Sequence, residues 1–306
     1  MSIKESSNLI DILFIGHTTK DEITINSETQ KIPGGGVYFG SLSAGYCQIK
    51  KNFKNTLEVL TIGNPSDLEQ AEKEMEKASI KLHIIPDMHT TTFCHSFINN
   101  DPDKRVSTIP CIARSFKFED IENYKAKFFY VNPLFYGEVP HNLFKDLKER
   151  CEILSVDAQG LLRNFNQGKI ELKAPKELPE ILKYVDVLKV DIAEALCLTD
   201  NKDWEESCKQ LLAMGPKYVI CTRTDEVSVL VKDVENNNEG KVNIFTSMFG
   251  KWSLIGRTGR GDTISAAFIL MHFINKMGIQ ESLDVAAKAT GKKMLHAGAA
   301  VKEDFE

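Results

Sequence analysis

The sequence has 306 residues, of which 42% are hydrophobic and 26% are charged, and its formal net charge is −5. This length and composition are typical of a globular protein with a sizeable core, and the acidic balance argues against a general binder of nucleic acid or of anionic membranes. No run of about 18 apolar residues predicts a membrane span. The amino-terminal residues lack the pattern of a secretory signal, and the seven cysteines form no CxxC pair, so we expect reduced thiols and a cytoplasmic location.

Short apolar runs alternate with helical patterns along the chain. Several runs lack period-two alternation, which is typical of strands that are buried on both faces. Helical patterns lie between them, for example at residues 66–78 and 203–215. This alternation predicts a single α/β domain over residues 1–306, with helices on both faces of a doubly wound, mainly parallel sheet. The apolar runs are residues 9–15, 57–62, 127–131, 152–156, 185–190, 218–222 and 227–231.

Two segments, at about residues 21–36 and 90–111, depart from this alternation. Each contains strand-like pieces around a polar turn and has no helical pattern. We expect them to pair as a small antiparallel sheet that covers a ligand at the carboxyl ends of the main strands. Residues 233–241 are predicted to form an exposed hairpin turn.

The stretch RTGRGDT, residues 257–263, precedes an apolar helix. Gly259 and Gly261 allow backbone conformations that other residues avoid, and they let backbone amides approach a ligand closely. The first amides of a helix lack internal acceptors and lie at the positive end of its dipole, so this turn suits an anion, above all phosphate. The pattern is neither a Walker A loop nor a dinucleotide GxGxxG loop.

Asp262 has two interpretations at this point. A carboxylate beside a bound phosphate can accept the proton of an attacking hydroxyl, which is the chemistry of phosphoryl transfer. Aspartate is also a common helix cap. The stretch alone leaves both interpretations open.

Three motifs together resemble the ribokinase/PfkB family of sugar and nucleoside kinases. GRTGRGDTISAAF, at residues 256–268, resembles the family signature DTxGAGD, and the triple glycine at residues 34–36 resembles its amino-terminal Gly-Gly motif. GHTTKDEI, at residues 16–23, resembles the family's opening segment. The motifs occur in the family's order and span roughly residues 10–300. The resemblance implies a ribokinase-like fold with a small β-sheet lid.

The resemblance also implies roles for individual residues. Asp262 is expected to be the catalytic base, and the amides of Gly259, Arg260 and Gly261 are expected to form the anion hole. The acceptor is expected to contact Asp21, Gly35 and Gly36.

The donor site follows from the same resemblance. KVDIAEA, at residues 189–195, aligns with the family's Asn-x-x-Glu motif, with Asp191 at the asparagine position and Glu194 holding Mg²⁺ through water. Thr222 and Arg223 are expected near the ATP phosphates or ribose, and Gly298 near the adenine.

Polar residues after two further strands predict additional acceptor contacts. Asp157 and Gln159 lie in DAQGLLR, which resembles a subgroup of the family that includes inositol kinases, and Asn132 follows the preceding strand. Their carboxylate and amide groups suit a ligand rich in hydroxyls, although turn and cap positions are the alternative for all three.

The sequence therefore predicts an ATP- and Mg²⁺-dependent kinase that acts on a small sugar or inositol-like polyol, as a monomer or homodimer. A nucleoside is the second choice of acceptor. A binding protein with an impaired kinase fold is a further alternative, because Arg260 replaces the family's usual alanine and Asp191 replaces asparagine. A dinucleotide-dependent oxidoreductase is disfavoured by the missing GxGxxG.

Overall fold

The computed structural model describes residues 9–25, 28–97, 105–166, 169–232, 241–253 and 256–306. No helix within these ranges is both long enough and apolar enough to cross a membrane. The strands are β1 Ile10–Ile15, β2 Thr19–Ile25, β3 Glu28–Gly34, β4 Leu57–Gly63, β5 Ile80–Pro86, β6 Thr92–Phe97, β7 Arg105–Cys111, β8 Ala126–Val131, β9 Cys151–Asp157, β10 Arg163–Asn166, β11 Lys169–Leu172, β12 Val187–Asp191, β13 Tyr218–Thr222, β14 Glu226–Lys232 and β15 Val242–Met248. The α-helices are α1 Gly36–Lys51, α2 Pro65–Lys77, α3 Phe118–Ile121, α4 Leu143–Lys148, α5 Gln159–Leu162, α6 Leu178–Leu182, α7 Ile192–Thr199, α8 Trp204–Ala213, α9 Arg260–Ile269 and α10 Ile279–Lys293. A π-helical turn, Leu270–Ile274, continues α9, and a 3-10 turn, Lys302–Phe305, follows α10.

The largest sheet has nine strands within the described residues, in the order β15-β14-β13-β12-β9-β8-β1-β4-β5. Every pair from β13 to β5 is parallel, and β14 and β15 add two antiparallel pairs at one edge. The predicted mainly parallel α/β fold is confirmed.

Each face of this sheet carries its own hydrophobic core. On β1, Ile12 and Phe14 pack into the core that contains α1, α9 and α10, whereas Leu13 and Ile15 pack into the core that contains α4, α6 and α8. All four of these side chains are fully buried. Burial on both faces explains why Ile12 to Ile15 are all apolar, without the period-two alternation of a half-buried strand.

The strand order changes direction at β1. From β1 the chain builds outward to β4 and β5, and it then returns to build β8, β9, β12 and β13 on the other side. In open α/β sheets this arrangement leaves a crevice at the carboxyl ends of the central strands. His17 and Asn132 follow β1 and β8 at this crevice, and the Asn132 N–H donates to the Ile15 carbonyl at 2.9 Å.

A four-stranded second sheet, in the order β3-β2-β6-β7, is built from the two segments that lacked helical patterns. Its two hairpins are antiparallel, as predicted, and the pair that joins them, β2 with β6, is parallel. The predicted turn at residues 99–104 lies outside the described residues, as does most of the turn predicted at 233–241. The sequence patterns did not predict the hairpin of β10 and β11, which follows α5 directly.

Helix α10 supports the segment that leads to α9. A side chain at Gly291 would overlap the Phe249 carbonyl, so only glycine lets this segment lie against the helix. Both the backbone N–H and the hydroxyl of Ser253 donate to the Met294 carbonyl, at 3.3 and 3.0 Å. The end of α10 therefore fixes the approach to the RTGRGDT stretch.

Replacing Gly291 with alanine is expected to destabilise the protein by about 3 kcal/mol, the upper end of overpacking costs, because a backbone carbonyl cannot move aside easily. Gly40→Ala is the matched control. Its added methyl group would lie 3.4 Å from a ring carbon of Tyr130, an ordinary contact. We expect the control to be neutral or slightly stabilising, since alanine favours the helix. Urea unfolding of both variants measures the difference, and equal unfolding free energies would contradict the packing argument.

Candidate active site

Asp262 is the third residue of α9, and its carboxylate faces the crevice beside Asn132. The Asn132 side-chain amide donates to Asp262 Oδ1 at 2.6 Å. Burial raises the pKa of Asp262 to about 6, and the Asp157 carboxylate acts in the same direction, while Lys189 and the Asn132 hydrogen bond lower it. A carboxylate with a pKa in this range is ionised at neutral pH and is a better proton acceptor than an ordinary aspartate.

The triple glycine packs against two candidate side chains. A side chain at Gly34 would overlap the Asp21 carboxylate, and one at Gly36 would overlap the Asn132 side-chain amide. Gly35 caps α1 with a φ of 92°, a conformation that favours glycine. The motif therefore brings Asp21, from the second sheet, and Asn132, from the main sheet, to the same short stretch of backbone.

Asp21 lies on β2 and is nearly buried, with 7% of its surface exposed. Its Oδ1 accepts from the Thr19 hydroxyl at 2.6 Å, and its Oδ2 lies 3.8 Å from Nε2 of His95 on β6. The carboxylate is thus held in position by its own sheet.

Asp157 and Gln159 extend the site along the carboxyl end of β9. The Gln159 N–H donates to Asp157 Oδ1 at 3.0 Å, and its side-chain amide lies 3.5 Å from Asn132 Oδ1. Gln159, Asn132 and Asp262 therefore form a continuous polar row. Asn132 and Gln159 follow the neighbouring parallel strands β8 and β9, and Asp262 comes from the first turn of α9.

Lys189 is a site residue that the sequence analysis missed. It lies on β12 with 6% of its surface exposed, and its ammonium is 3.1 Å from Asp157 Oδ2 and 3.9 Å from Glu194 Oε2. Burial alone would lower its pKa, but the surrounding carboxylates together raise it, so the group stays charged. A side chain at Gly261 would lie 2.6 Å from the ammonium nitrogen, which places this positive charge beside the first turn of α9.

A signal for Lys189 was present in the sequence. Two charged residues, Asp186 and Lys189, interrupt the apolar run at residues 185–190, and Lys189 is the one that lies within β12. A charge within a strand buried on both faces requires a partner. The partners are Asp157 on β9 and Glu194 in the first turn of α7, and the apolar pattern itself does not identify them.

Helix α7 begins with a reciprocal cap between Asp191 and Glu194. The Glu194 N–H donates to Asp191 Oδ1, and the Asp191 N–H donates to Glu194 Oε2, both at 2.8 Å. Burial raises the pKa of Glu194 to about 7, although Lys189 opposes this. No cluster of three or more potential metal ligands occurs among the described residues. Carboxylates beside a phosphate site suit a hydrated Mg²⁺, which usually keeps several waters, so the residues present fit the predicted role of Glu194.

The amino end of α9 has the features of an anion site, and the three amides of the prediction differ in their hydrogen bonding. Gly259 caps the helix at a φ of 78° and supplies no side-chain acceptor. The Arg260 N–H donates to the Arg257 carbonyl at 3.2 Å, so this predicted anion-hole amide already has an acceptor. The amides of Gly261 and Asp262, at the second and third positions of the helix, lack an intrahelical acceptor.

The Arg260 side chain turns toward the antiparallel edge of the main sheet. Its guanidinium donates to the Thr224 carbonyl at 3.3 Å and lies 5.8 Å from the centre of the Phe249 ring. Burial and the neighbouring Arg257 lower its pKa, but an arginine remains charged. The substitution that distinguishes this loop therefore adds a positive charge at the first residue of α9, and this charge lies against Thr224 and Phe249.

The remaining predicted donor residues are less closely connected to the site. Thr222 is opposite Asp191 in the β12–β13 register and is almost completely buried. Gly298 is exposed, with a φ of 85°, and a side chain there would meet no atom within 4 Å. The Arg223 guanidinium pairs with Glu226 at 2.8 Å and donates to the Ser228 hydroxyl at 2.8 Å, both on β14. It also lies 3.9 Å from the centre of the Trp204 ring on α8. The roles of these three residues stay predictions.

Comparisons with known proteins agree with the fold and identify the family. The family model for pfkB family carbohydrate kinases matches residues 55–304. A pyrophosphate-dependent kinase of the ribokinase family, complexed with a pyrophosphate analog and myo-inositol, is 30% identical over 96% of this chain and 98% of its own, with a TM-score of 0.83. A pyrophosphate-dependent myo-inositol-1 kinase converted into a myo-inositol-3 kinase is 29% identical over 96% of both chains, with a TM-score of 0.82.

A ribokinase from Arabidopsis thaliana, complexed with ribose and ATP, shares the fold at 13% identity, with a TM-score of 0.71 over 97% of this chain and 98% of its own. No curated protein matches the sequence.

Removing the Asn132 side chain is expected to raise the pKa of Asp262 above about 6, since the lost hydrogen bond stabilises the ionised carboxylate. The measurement is an NMR titration of the Asp262 carboxyl carbon in Asn132→Ala. Asn55→Ala is the control, because Asn55 precedes β4 at the opposite, amino ends of the strands. An unchanged Asp262 titration in Asn132→Ala would show that the hydrogen bond does not tune this group.

Proposed function

The chain belongs to the pfkB family of carbohydrate kinases, and on that premise we propose that it transfers a phosphoryl group to a hydroxyl of a small cyclic polyol of the inositol class. The observation that carries this proposal is the carboxylate of Asp262. It has a raised pKa, accepts a hydrogen bond from Asn132 and lies in the first turn of a helix whose cap supplies no side-chain acceptor.

In the proposed reaction, Asp262 takes the proton of the acceptor hydroxyl as the hydroxyl oxygen bonds to the phosphorus that is transferred. The bond from that phosphorus to the bridging oxygen of the donor breaks, which releases ADP from ATP or phosphate from pyrophosphate. The hydrogen bond from Asn132 orients the carboxylate. The amides at the start of α9 and the Lys189 ammonium stabilise the negative charge on the transferred group. Since Lys189 is already fixed by Asp157 and Glu194, no rearrangement of this charge is needed during the reaction.

The acceptor assignment rests on the polar groups that surround Asp262. The carboxylates and amides that converge there offer alternating donors and acceptors, which match vicinal hydroxyls. The predicted acceptor contacts are Asp21, Gly35, Gly36, Asp157 and Gln159. The relative that is 30% identical was crystallised with myo-inositol, which supports a cyclic polyol over the second candidate, a nucleoside.

The donor is a polyphosphate, and two donors are candidates. ATP follows from the family resemblance, with Thr222, Arg223 and Gly298 on its nucleotide side. Pyrophosphate is favoured by both relatives near 30% identity, which are pyrophosphate-dependent. It is also favoured by Arg260, whose charge beside the helix suits a small, highly charged donor. With either donor, Mg²⁺ near Asp191 and Glu194 would neutralise phosphate charge.

The decisive experiment measures phosphoryl transfer from Mg-ATP and from Mg-pyrophosphate across a panel of inositols, sugars and nucleosides. We expect turnover on an inositol, and we expect Asp262→Asn to lower kcat by about 100- to 10,000-fold, the usual contribution of a general base. Asp284→Asn, on the exposed side of α10, is the matched control for loss of one carboxylate. Binding of donor or polyol without turnover on any acceptor would instead support the impaired binding protein.

The pH dependence provides a second test of Asp262. Because the carboxylate must be ionised to accept a proton, kcat/KM should fall as the pH drops below about 6 and level off above it. The kcat/KM that remains in Asp262→Asn should not show this fall at low pH. A wild-type profile that stays flat from pH 5 to 8 would contradict the assignment of Asp262 as base.

A further inference from the structure

Lys293 is a second buried lysine near α9, and the proposed reaction does not yet use it. It occupies the last turn of α10 and has no exposed surface. Its ammonium donates to the Gly256 carbonyl at 2.6 Å and to the Thr258 carbonyl, and it lies 5.8 Å from the centre of the Phe39 ring. Burying an ammonium is costly unless it has hydrogen-bond partners. The two carbonyls are therefore needed to keep Lys293 buried, and the lysine in turn fixes their orientation.

The two carbonyls belong to the loop that immediately precedes the Gly259 cap. In a trans peptide the C=O and N–H point in opposite directions. Because the Thr258 carbonyl is fixed toward Lys293, the Gly259 N–H of the same peptide points away from the lysine. The Gly256 carbonyl sets the direction of the Arg257 N–H in the same manner. Lys293 therefore determines how the peptides that lead into the anion site are turned.

The charge of Lys293 also interacts electrostatically with the Asp262 carboxylate. Burial lowers its pKa to about 8, while the carboxylates of Asp262 and Asp304 oppose this. The ammonium is therefore mostly charged at neutral pH. Two carbonyl oxygens that converge on a buried point would repel each other if this cation were absent.

We propose that Lys293 is a positioning residue for phosphoryl transfer: its buried ammonium binds the carbonyls of Gly256 and Thr258 and so holds the loop that leads into the amides at the start of α9. The proposal rests on the proposed function. It assigns to Lys293 no contact with either substrate.

The first test compares Lys293→Met with Lys292→Met. Lys292 is its neighbour on α10 and donates to the Glu306 carbonyl at 3.0 Å, so the control removes the same charge without touching the loop. We expect Lys293→Met to lower kcat by about 100-fold, as small displacements of positioned groups do, with the acceptor KM nearly unchanged. Lys292→Met should retain wild-type values. Equal kinetics for the two variants would overturn the proposal.

Chemical rescue separates positioning by a cation from general packing. In Lys293→Ala, the vacated space and the two carbonyls should accept methylammonium, which should restore a measurable part of kcat with saturation. The same concentration of methylammonium should not affect Lys292→Ala. If Lys293→Ala folds but methylammonium does not raise its kcat at all, the ammonium is not the operative group and the proposal fails.

Hydrogen exchange measured without substrate tests the position of the loop directly. It therefore tests the role of Lys293 even if the proposed function is wrong. Peptides that cover residues 256–263 should exchange faster in Lys293→Met than in wild type and Lys292→Met. If wild type shows no turnover, the proposed function fails, and exchange alone then decides whether Lys293 holds the loop. If wild type turns over and neither exchange nor kcat changes in Lys293→Met, the proposal fails while the proposed function stands.

Discussion

At the carboxyl ends of β9 and β12, the ammonium of Lys189 lies between the carboxylates of Asp157 and Glu194 and beside the first turn of α9. Carboxylates that share a desolvated crevice repel one another and tend to take up protons. The rise in the pKa values of Asp262 and Glu194 shows this tendency, and Lys189 opposes it for both. Each charge therefore depends on the others. Removing the lysine alone would leave buried acids unpaired, which is strongly destabilising.

The first turn of α9 is held between two lysines that reach it from different elements. Lys189 approaches Gly261 from β12, and Lys293 binds the carbonyls of Gly256 and Thr258 from α10. In the proposed reaction, one lysine would stabilise charge on the phosphoryl group while the other would fix the loop. Both are preset before a ligand arrives, which is how electrostatic stabilisation contributes most to catalysis.

Close backbone packing connects the two halves of the crevice. The triple glycine brings the side chains of Asp21 and Asn132 to adjacent positions, and Asn132 in turn donates to Asp262. The second sheet is thus connected to Asp262 through three residues of glycine backbone and the side-chain amide of Asn132. This arrangement gives a physical reason for the motif. A side chain at Gly34 or Gly36 would occupy the space that Asp21 or Asn132 now fills.

The sequence alone determined the fold class, because apolar runs without alternation reflect strands buried on both faces, as Ile12 to Ile15 show. It also located Asp262 and its helix, because the conformational freedom of glycine and the capping of a helix start by aspartate depend only on neighbouring residues.

Only the tertiary structure decided which side chains surround Asp262. The apolar pattern around Lys189 indicates that its charge needs a partner, but only the tertiary structure shows that Asp157 and Glu194 supply it. No local pattern reveals that Lys293 is buried against the carbonyls of Gly256 and Thr258. The Arg260 amide, which is predicted to belong to the anion hole, donates to the Arg257 carbonyl in a turn that the sequence pattern did not predict. The sequence indicates which residues follow the central strands and can therefore lie near the site. The packing of elements around the sheet determines which charged side chains contact one another.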